Sequence, residues 1–169
     1  DWLIDPGVEI PEAAARVHGI TTEVARASGV AAPVGVSQIL EQLGAMLERG
    51  GDSWYFVTAD YAFGHALQRD TSRFVEAAGG RVLGASRYPF PQTTDFSAFV
   101  LQAQASRAKV LGMANASGDT INTIKAAREF GLHRSMKLAA LLMSSTDIHG
   151  LGLEAGQGLL LTEAFYWDL

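Results

Sequence analysis

Residues 54–86 read WYFVTADYAFGHALQRDTSRFVEAAGGRVLGAS, and this stretch contains one complete strand–helix–strand unit. Its first five residues are aromatic or β-branched, which predicts a short buried strand over residues 54–58. Apolar residues then return every three to four positions over residues 61–78, which is the spacing of an amphipathic helix. A Gly-Gly pair, typical of a helix end, follows, and a second strand is predicted over residues 81–86.

The same alternation continues toward the end of the chain. Strand-sized apolar runs occupy residues 109–114, 138–143 and 158–165. Between the strands lie further amphipathic stretches, one capped by Asp95 and one beginning at Asp119. Strands that are apolar throughout and are separated by helices form parallel sheets with helices on both faces. The sequence therefore predicts an α/β protein with a doubly wound parallel sheet of about five strands.

Residues 1–50 have a different character and are predicted to form an added N-terminal segment. Residues 2–4 favour a strand, and a loop-rich stretch follows them. Thr21 or Thr22 is a suitable cap for a short helix. A clear amphipathic helix is predicted over residues 37–50, ending at a second Gly-Gly pair that leads into the first strand of the main sheet.

Composition and charge exclude several function classes. The 169-residue chain is 48% hydrophobic and 18% charged, the composition of an ordinary globular domain. Its 13 basic and 18 acidic residues give a net charge of −5, so nucleic acid is not an expected partner. The absence of cysteine excludes disulfides, thiolate nucleophiles and iron–sulfur clusters. Because no apolar run reaches ~18 residues and residues 1–25 lack a secretory signal pattern, neither membrane insertion nor a signal peptide is expected.

Five motifs in the second part of the chain occur in the order and spacing of one known family. They are residues 54–64 (WYFVTADYAFG), 93–97 (TTDFS), 101–105 (LQAQA), 115–120 (NASGDT) and 162–167 (TEAFYW). On these motifs, residues 52–169 resemble the second lobe of a periplasmic solute-binding protein of the leucine/isoleucine/valine type, which serves ABC transporters. The resemblance implies a non-enzymatic, extracytoplasmic protein in which two lobes close around a small solute.

The start of the chain resembles a different family. The motifs are IDPG at residues 4–7, IP at residues 10–11 and VHGIT at residues 17–21. On these, residues 1–35 resemble a fragment of a proofreading exonuclease of the DNA polymerase III epsilon type. The resemblance implies a piece that lies between the two carboxylate motifs of that family, neither of which is present.

The two resemblances together predict a chimera. An exonuclease-like fragment over residues 1–50 is expected to pack on a solute-binding lobe over residues 51–169. The helix predicted for residues 37–50 fits either family, because both place an amphipathic helix before a strand at this point.

Candidate ligand contacts follow from the fold. Ligands of open α/β sheets bind beyond the carboxyl ends of the strands, where helix N-termini present N–H groups. Tyr61 follows the first strand of the main sheet, and the resemblance implies that it faces the cleft between the lobes; its alternative role is to shield the strand end. Glu163 lies in the last strand and is either a polar contact or a solvated residue.

Two further positions complete the predicted site. Ala116 and Ser117 match a cleft-lining position of the family, where N–H groups and the hydroxyl would receive a carboxylate. The alternative is plain helix capping by Ser117 or Asp119. Ser144 and Ser145 stand where the resemblance places an acid that pairs with the ammonium group of amino-acid ligands. Their presence puts an α-amino acid in doubt and leaves a carboxylate, an aromatic acid or another small solute as ligand.

The predicted function is therefore binding and not catalysis. The four histidines lack metal-ligand spacing, and no nucleophile elbow or phosphate-binding loop occurs, so no catalytic residue, metal or cofactor is predicted. A single lobe supplies only part of a cleft, so weak binding of a carboxylate or amino-acid-like solute is expected. Self-association through the uncovered lobe surface is also expected. Two alternatives stay open, an inactive exonuclease-like fragment and a recombinant or designed fold without evolved activity.

Overall fold

A computed structural model describes residues 4–5, 7, 9–12, 15–16, 20–31 and 50–162. In chain order the strands of this part are β1 (Ile4–Asp5), β2 (Val30–Ala31), β3 (Ser53–Ala59), β4 (Arg81–Tyr88), β5 (Val110–Ala114), β6 (Lys137–Ala140) and β7 (Leu160–Leu161). The helices are α1 (Thr22–Ser28), α2 (Ala62–Ala77), α3 (Ser97–Ser106), α4 (Ser117–Glu129), α5 (Ser145–Leu151) and α6 (Leu153–Gly156). A 3₁₀ turn, Leu132–Arg134, separates α4 from β6.

Strands β3 to β7 form one sheet in the order β4-β3-β5-β6-β7, and every neighbouring pair is parallel. The chain runs from β3 outward to β4, returns past β3 to β5, and then continues in one direction to β7. The direction of winding therefore reverses between β3 and β5, the place where open α/β sheets bind their ligands. The predicted α/β fold with a parallel sheet of five strands is confirmed.

Apolar side chains are buried on both faces of the sheet, because successive residues of a strand point to opposite sides. Trp54 of β3 belongs to one buried cluster together with Val75 of α2. Val57 of the same strand belongs to a second cluster, with Val100 of α3 and Ile124 of α4. Fully burying an aliphatic side chain of this kind stabilises the fold by about 1.5–3 kcal/mol. Burial on both faces is why the strands read as continuous apolar runs instead of alternating ones.

Three strands depart from their predicted boundaries by two residues or more. β4 continues to Tyr88, two residues further than predicted, because it stays in register with β3 over that length. β6 ends at Ala140, three residues early, and the chain then turns toward the helix that Ser144 caps. β7 is described as Leu160–Leu161, and the predicted continuation over residues 163–165 lies outside the described residues.

The N-terminal segment contains a small separate sheet. β1 and β2 pair in parallel with each other and take no part in the five-stranded sheet. α1 begins after Thr21, whose Oγ1 accepts a hydrogen bond from the Val24 N–H at 3.3 Å, so the predicted cap is confirmed at this position. The predicted strand over residues 2–4 lies outside the described residues except for its last residue. The predicted helix over residues 37–50 lies outside them except for Gly50.

Candidate functional site at the carboxyl edge of the sheet

Two loops meet where the winding of the sheet reverses. The register places Thr58 of β3 beside Ala114 of β5, so the loops that begin at Asp60 and Asn115 are neighbours. α2 and α4 start directly after these loops and turn their N-termini toward the same edge. The carboxyl edge between β3 and β5 is therefore the candidate site.

Gly64 holds the first turn of α2 against both strand ends. A Cβ atom at this position would lie 2.2 Å from the carbonyl oxygen of Ala59 and 3.1 Å from that of Ala114. Both carbonyls belong to sheet strands and cannot move aside cheaply, so the contact requires glycine. This close approach fixes the position of Tyr61, which immediately precedes α2, relative to β5.

Tyr61 presents an aromatic surface at this edge. It is the N-cap residue of α2 and is 39% exposed. Its ring stacks on that of Phe90, with 4.5 Å between the ring centroids and 18° between the planes. The centroid of Phe63 lies 5.8 Å from that of Tyr61. Because Phe90 is 43% exposed, the stacked pair forms an accessible apolar patch beside the loops.

Phe90 is a residue that the sequence analysis missed. It follows β4, whose end was predicted two residues too early, so it was not placed at the carboxyl edge. The signal for it is present in the sequence, since Pro89 and Pro91 mark the point where the strand must stop.

Ala116 and Ser117 form the side of the site opposite Tyr61. Ala116 is the N-cap residue of α4, and within the described part of the chain no side chain caps this helix. The alternative capping role of Ser117 or Asp119 is thus not found there. Ser117 is exposed, and its backbone φ of +52° is a left-handed conformation that strains a residue with a Cβ by about 1–2 kcal/mol.

The N-termini of α2 and α4 both lack a side-chain cap among the described residues. Their N-cap residues are Tyr61 and Ala116. The first N–H groups of a helix have no partner within the helix, and they carry a partial positive charge. Such helix ends favour an anion; the first turn of α2 contains no acidic residue, whereas that of α4 contains Asp119.

A buried polar network supports the start of α4 from below. The Tyr88 hydroxyl donates a hydrogen bond of 2.7 Å to Oδ2 of Asp119. Asn115 accepts one from the Thr120 hydroxyl at 2.8 Å and donates one to Oγ1 of Thr123 at 3.2 Å. Burial raises the pKa of Tyr88, and its hydrogen bond to Asp119 raises it further. The hydroxyl is protonated at neutral pH and is available to donate to Asp119.

Two carboxylates that follow β3 and β5, Asp60 and Asp119, have partners among the described residues. Oδ1 of Asp60 lies 2.8 Å from Nε2 of His65, and this pair is about half exposed. Asp119 is held by Tyr88. An ammonium group bound at this edge would have to share Asp60 with His65 or Asp119 with Tyr88.

The predicted positions after β6 lie at the start of α5. Ser144 is the N-cap residue of this helix, and its Oγ accepts a hydrogen bond from the Asp147 N–H at 3.2 Å. Oδ2 of Asp147 in turn accepts from the Ser144 N–H at 3.0 Å, which completes a capping box. Ser145 is the first residue of α5. The last predicted contact, Glu163, lies outside the described residues.

The described part of the chain contains neither a metal-binding cluster nor a membrane-spanning helix. No three His, Asp or Glu side chains gather there closely enough to hold a metal ion. Nor does any helix there combine the length and the apolar composition needed to cross a bilayer.

Comparisons with solved structures identify similar proteins. A periplasmic binding protein from Burkholderia mallei is 55% identical with a TM-score of 0.70, over 76% of this chain and 34% of that chain. A branched chain amino acid ABC transporter periplasmic ligand-binding protein from Burkholderia xenovorans LB400 is 34% identical with a TM-score of 0.67, over 78% of this chain and 35% of that one. The chain thus spans about a third of the length of these proteins.

A more distant structure shares the fold. It is an ABC transporter solute binding protein from Rhodopseudomonas palustris in complex with 4-hydroxybenzoate, 23% identical with a TM-score of 0.58, over 68% of this chain and 32% of that chain. A comparison with curated proteins found no match.

The family assignment follows from the sequence as well as from the fold. A sequence model described as periplasmic binding protein matches residues 20–169, which includes part of the stretch that resembles an exonuclease. The exonuclease resemblance itself, over residues 1–35, stays a prediction. Since the match covers most of the chain and the parallel sheet agrees with it, the chain belongs to the periplasmic binding protein family.

Proposed function

We propose that this chain is one lobe of a non-enzymatic solute-binding protein of an ABC transporter and that its carboxyl edge is half of the ligand cleft. The contacts proposed are Tyr61, Ala116, Ser117, Ser144, Ser145 and Glu163. One observation carries the proposal: an exposed aromatic ring and two helix N-termini without side-chain caps meet where the winding reverses between β3 and β5. Because the family is that of periplasmic binding proteins, we also propose an extracytoplasmic location for this chain.

The ligand class is a small carboxylate with an apolar body. Backbone N–H groups at the start of α4 and the Ser117 hydroxyl suit the carboxylate, and the Tyr61 ring suits the apolar part. An α-amino acid needs an acidic partner for its ammonium group, and Asp60 and Asp119 are engaged by His65 and Tyr88. Aromatic acids have no ammonium group and need no such partner. They are therefore tested as ligands beside the branched-chain amino acids.

Affinity is expected to be low because one lobe supplies only part of a cleft. A ligand on an open edge keeps much of its surface in water, and no closure traps it. We expect dissociation constants of about 1 mM or weaker. The proposal divides the chain at residue 50, with the lobe over residues 51–169.

A titration followed by ¹⁵N nuclear magnetic resonance tests this on the whole chain. Leucine and 4-hydroxybenzoate are added separately to millimolar concentration, and shifts of the Tyr61, Ala116 and Ser117 amides are expected. Tyr61→Ala should abolish these shifts. Phe74→Ala is the matched control, because Phe74 is 40% exposed on the helix that Tyr61 precedes, thirteen positions and about 20 Å away, and should leave them intact. If neither ligand shifts these amides, the carboxyl edge is not the binding site. A submicromolar dissociation constant would contradict the expected low affinity.

Self-association is proposed through the same uncovered edge. The Tyr61–Phe90 pair is an exposed apolar patch of the kind that binds another protein surface. Light scattering should show a mass above that of the 18.0 kDa chain, and the double substitution Tyr61→Ala and Phe90→Ala should return it to the monomer value. An unchanged mass in the double variant would rule out this surface.

The exonuclease alternative has a simple test. Two-metal phosphodiester hydrolysis needs clustered carboxylates. We expect no magnesium-dependent nuclease activity above background. Measurable activity would favour the exonuclease function over solute binding.

A further inference from the structure

A cavity at the opposite, amino-terminal edge of the sheet is strongly basic. It has a volume of about 290 Å³. Its charged and titratable lining consists of Lys109, Arg128, His133, Arg134 and Lys137. Among the described residues, no aspartate or glutamate lines it. Four of the 13 lysines and arginines thus surround one cavity in a chain whose net charge is −5.

Three of these cations are not neutralised by neighbouring acids. Within the described part of the chain, Lys109, Arg128 and Arg134 take part in no ion pair. Arg128 is also held in place, because its Nη2 donates a hydrogen bond of 2.6 Å to the carbonyl oxygen of Gln157. Its Nε is buried, and no hydrogen-bond acceptor for it is found among the described residues. A fixed guanidinium with an unused donor is a feature of anion-binding sites.

Helix ends explain only part of this charge. Arg128 lies in the last turn of α4, and His133 and Arg134 lie in the 3₁₀ turn, where cations compensate the negative end of the helix dipole. Lys109 and Lys137 have no such role, since one precedes β5 and the other begins β6. Their backbones are neighbours, with the Lys137 N–H donating to the Lys109 carbonyl at 2.8 Å. Both lysines line the cavity, so they add positive charge that no helix end accounts for.

We infer that this cavity is a binding site for a multivalent oxyanion of the phosphate class, either inorganic phosphate or a phosphate monoester. Arginine presents a planar fork of donors that matches phosphate oxygens, and lysine adds compact positive charge. The volume accommodates a phosphate group with a small substituent. The site lies at the other end of the strands from Tyr61 and Ser117, so the inference does not rest on the proposed solute-binding function.

The test is phosphate binding to the whole chain by isothermal titration calorimetry and by thermal melting. Inorganic phosphate should raise the melting temperature more than sodium chloride does at the same ionic strength. Glycerol 3-phosphate in a parallel titration distinguishes the two sources, because tighter binding than inorganic phosphate assigns the site to a monoester. Weaker binding of the ester than of inorganic phosphate assigns it to the free ion.

The matched variants replace exposed charged side chains with neutral glutamine. Lys109→Gln with Arg134→Gln removes two exposed cations from the lining and should weaken phosphate binding at least tenfold. Lys125→Gln, an exposed lysine of α4 that does not line the cavity, should leave the affinity within twofold of the original. Melting without phosphate checks that both proteins are folded. The inference is overturned if chloride and phosphate act equally on the unchanged chain, or if the two variants lose affinity to the same degree.

Discussion

The hydroxyl of Tyr88 donates a hydrogen bond of 2.7 Å to Oδ2 of Asp119, and this contact joins the end of β4 to the first turn of α4. The two residues are 31 positions apart and lie below the loops that carry Phe90 and Ser117. The bond therefore ties together the two sides of the carboxyl edge. Its donor is fully buried, and its ring packs edge-on against Phe96, so the phenol has little freedom to turn away.

Tyr88→Phe removes this hydrogen bond without removing the ring. The half-buried carboxylate of Asp119 then loses its donor, and we expect the free energy of unfolding to fall by about 1–3 kcal/mol in urea titrations. Asp119→Asn is the matched control, because an amide oxygen still accepts from the hydroxyl, and it should cost less than Tyr88→Phe. Equal losses in the two variants would show that the charge, and not the acceptor, matters.

Tyr88 should also make the fold sensitive to alkaline pH. Burial, and then the hydrogen bond to Asp119, raise its pKa well above the ordinary value of 10.0. Above about pH 10 the unfolded chain releases the proton while the folded chain keeps it. The free energy of unfolding should therefore fall as pH rises from about 9 to 11, and more steeply than in Tyr88→Phe. Ultraviolet titration of tyrosinate should find one tyrosine that ionises only when the protein unfolds. Parallel pH profiles of the two proteins would refute this assignment.

The sequence predicted the fold because its signals are local. Residues 54–58 and 109–114 are apolar runs bounded by turn residues, and each is a strand in the structure, with boundaries shifted by a residue. The edge rule then placed Tyr61, Ala116 and Ser117 on one side of the sheet, since all three follow strand ends. What could not be predicted is the order of the strands, because each crossover can return to either neighbour.

Local sequence patterns also do not predict contacts between distant parts of the chain. The bond between Tyr88 and Asp119 joins two elements whose separation depends on the strand order. The stacking of Tyr61 on Phe90 has the same origin, since β3 and β4 are neighbours only in the folded sheet. Periodicity identifies which face of an element is buried, but it does not identify the partner.

Gly64 should be the least replaceable glycine at the candidate site. In Gly64→Ala the new methyl group would meet the Ala59 carbonyl at 2.2 Å, so α2 must move away from the sheet. We expect a loss of about 1–3 kcal/mol or more in the free energy of unfolding, measured by urea denaturation. Gly118→Ala is the control, because nothing lies within 4 Å of a Cβ there, and it should be neutral or slightly stabilising. A neutral Gly64→Ala would mean that the close approach is absent.

Ser144 should prove important for stability through its capping role. Ser144→Ala removes the acceptor for the Asp147 N–H and half of the capping box, which should cost about 0.5–2 kcal/mol. Ser144→Thr keeps the hydroxyl and should retain most of the stability. If Ser144→Ala leaves urea denaturation unchanged, the cap contributes nothing, and the serine would have to be explained by ligand contact alone.

Ser117 allows stability and binding to be separated at one position. Its left-handed backbone strains any residue with a Cβ, whereas glycine adopts the conformation readily but loses more entropy on folding. The balance predicts that Ser117→Gly is more stable than Ser117→Ala by about 0.5–1 kcal/mol. Both variants lack the hydroxyl, so both should weaken the carboxylate-dependent amide shifts equally if that hydroxyl contacts the ligand. Equal stability of the two variants would show that the residue relaxes out of the left-handed region. Unchanged shifts in both would remove the Ser117 hydroxyl from the site and leave the backbone N–H groups of α4 as the carboxylate donors.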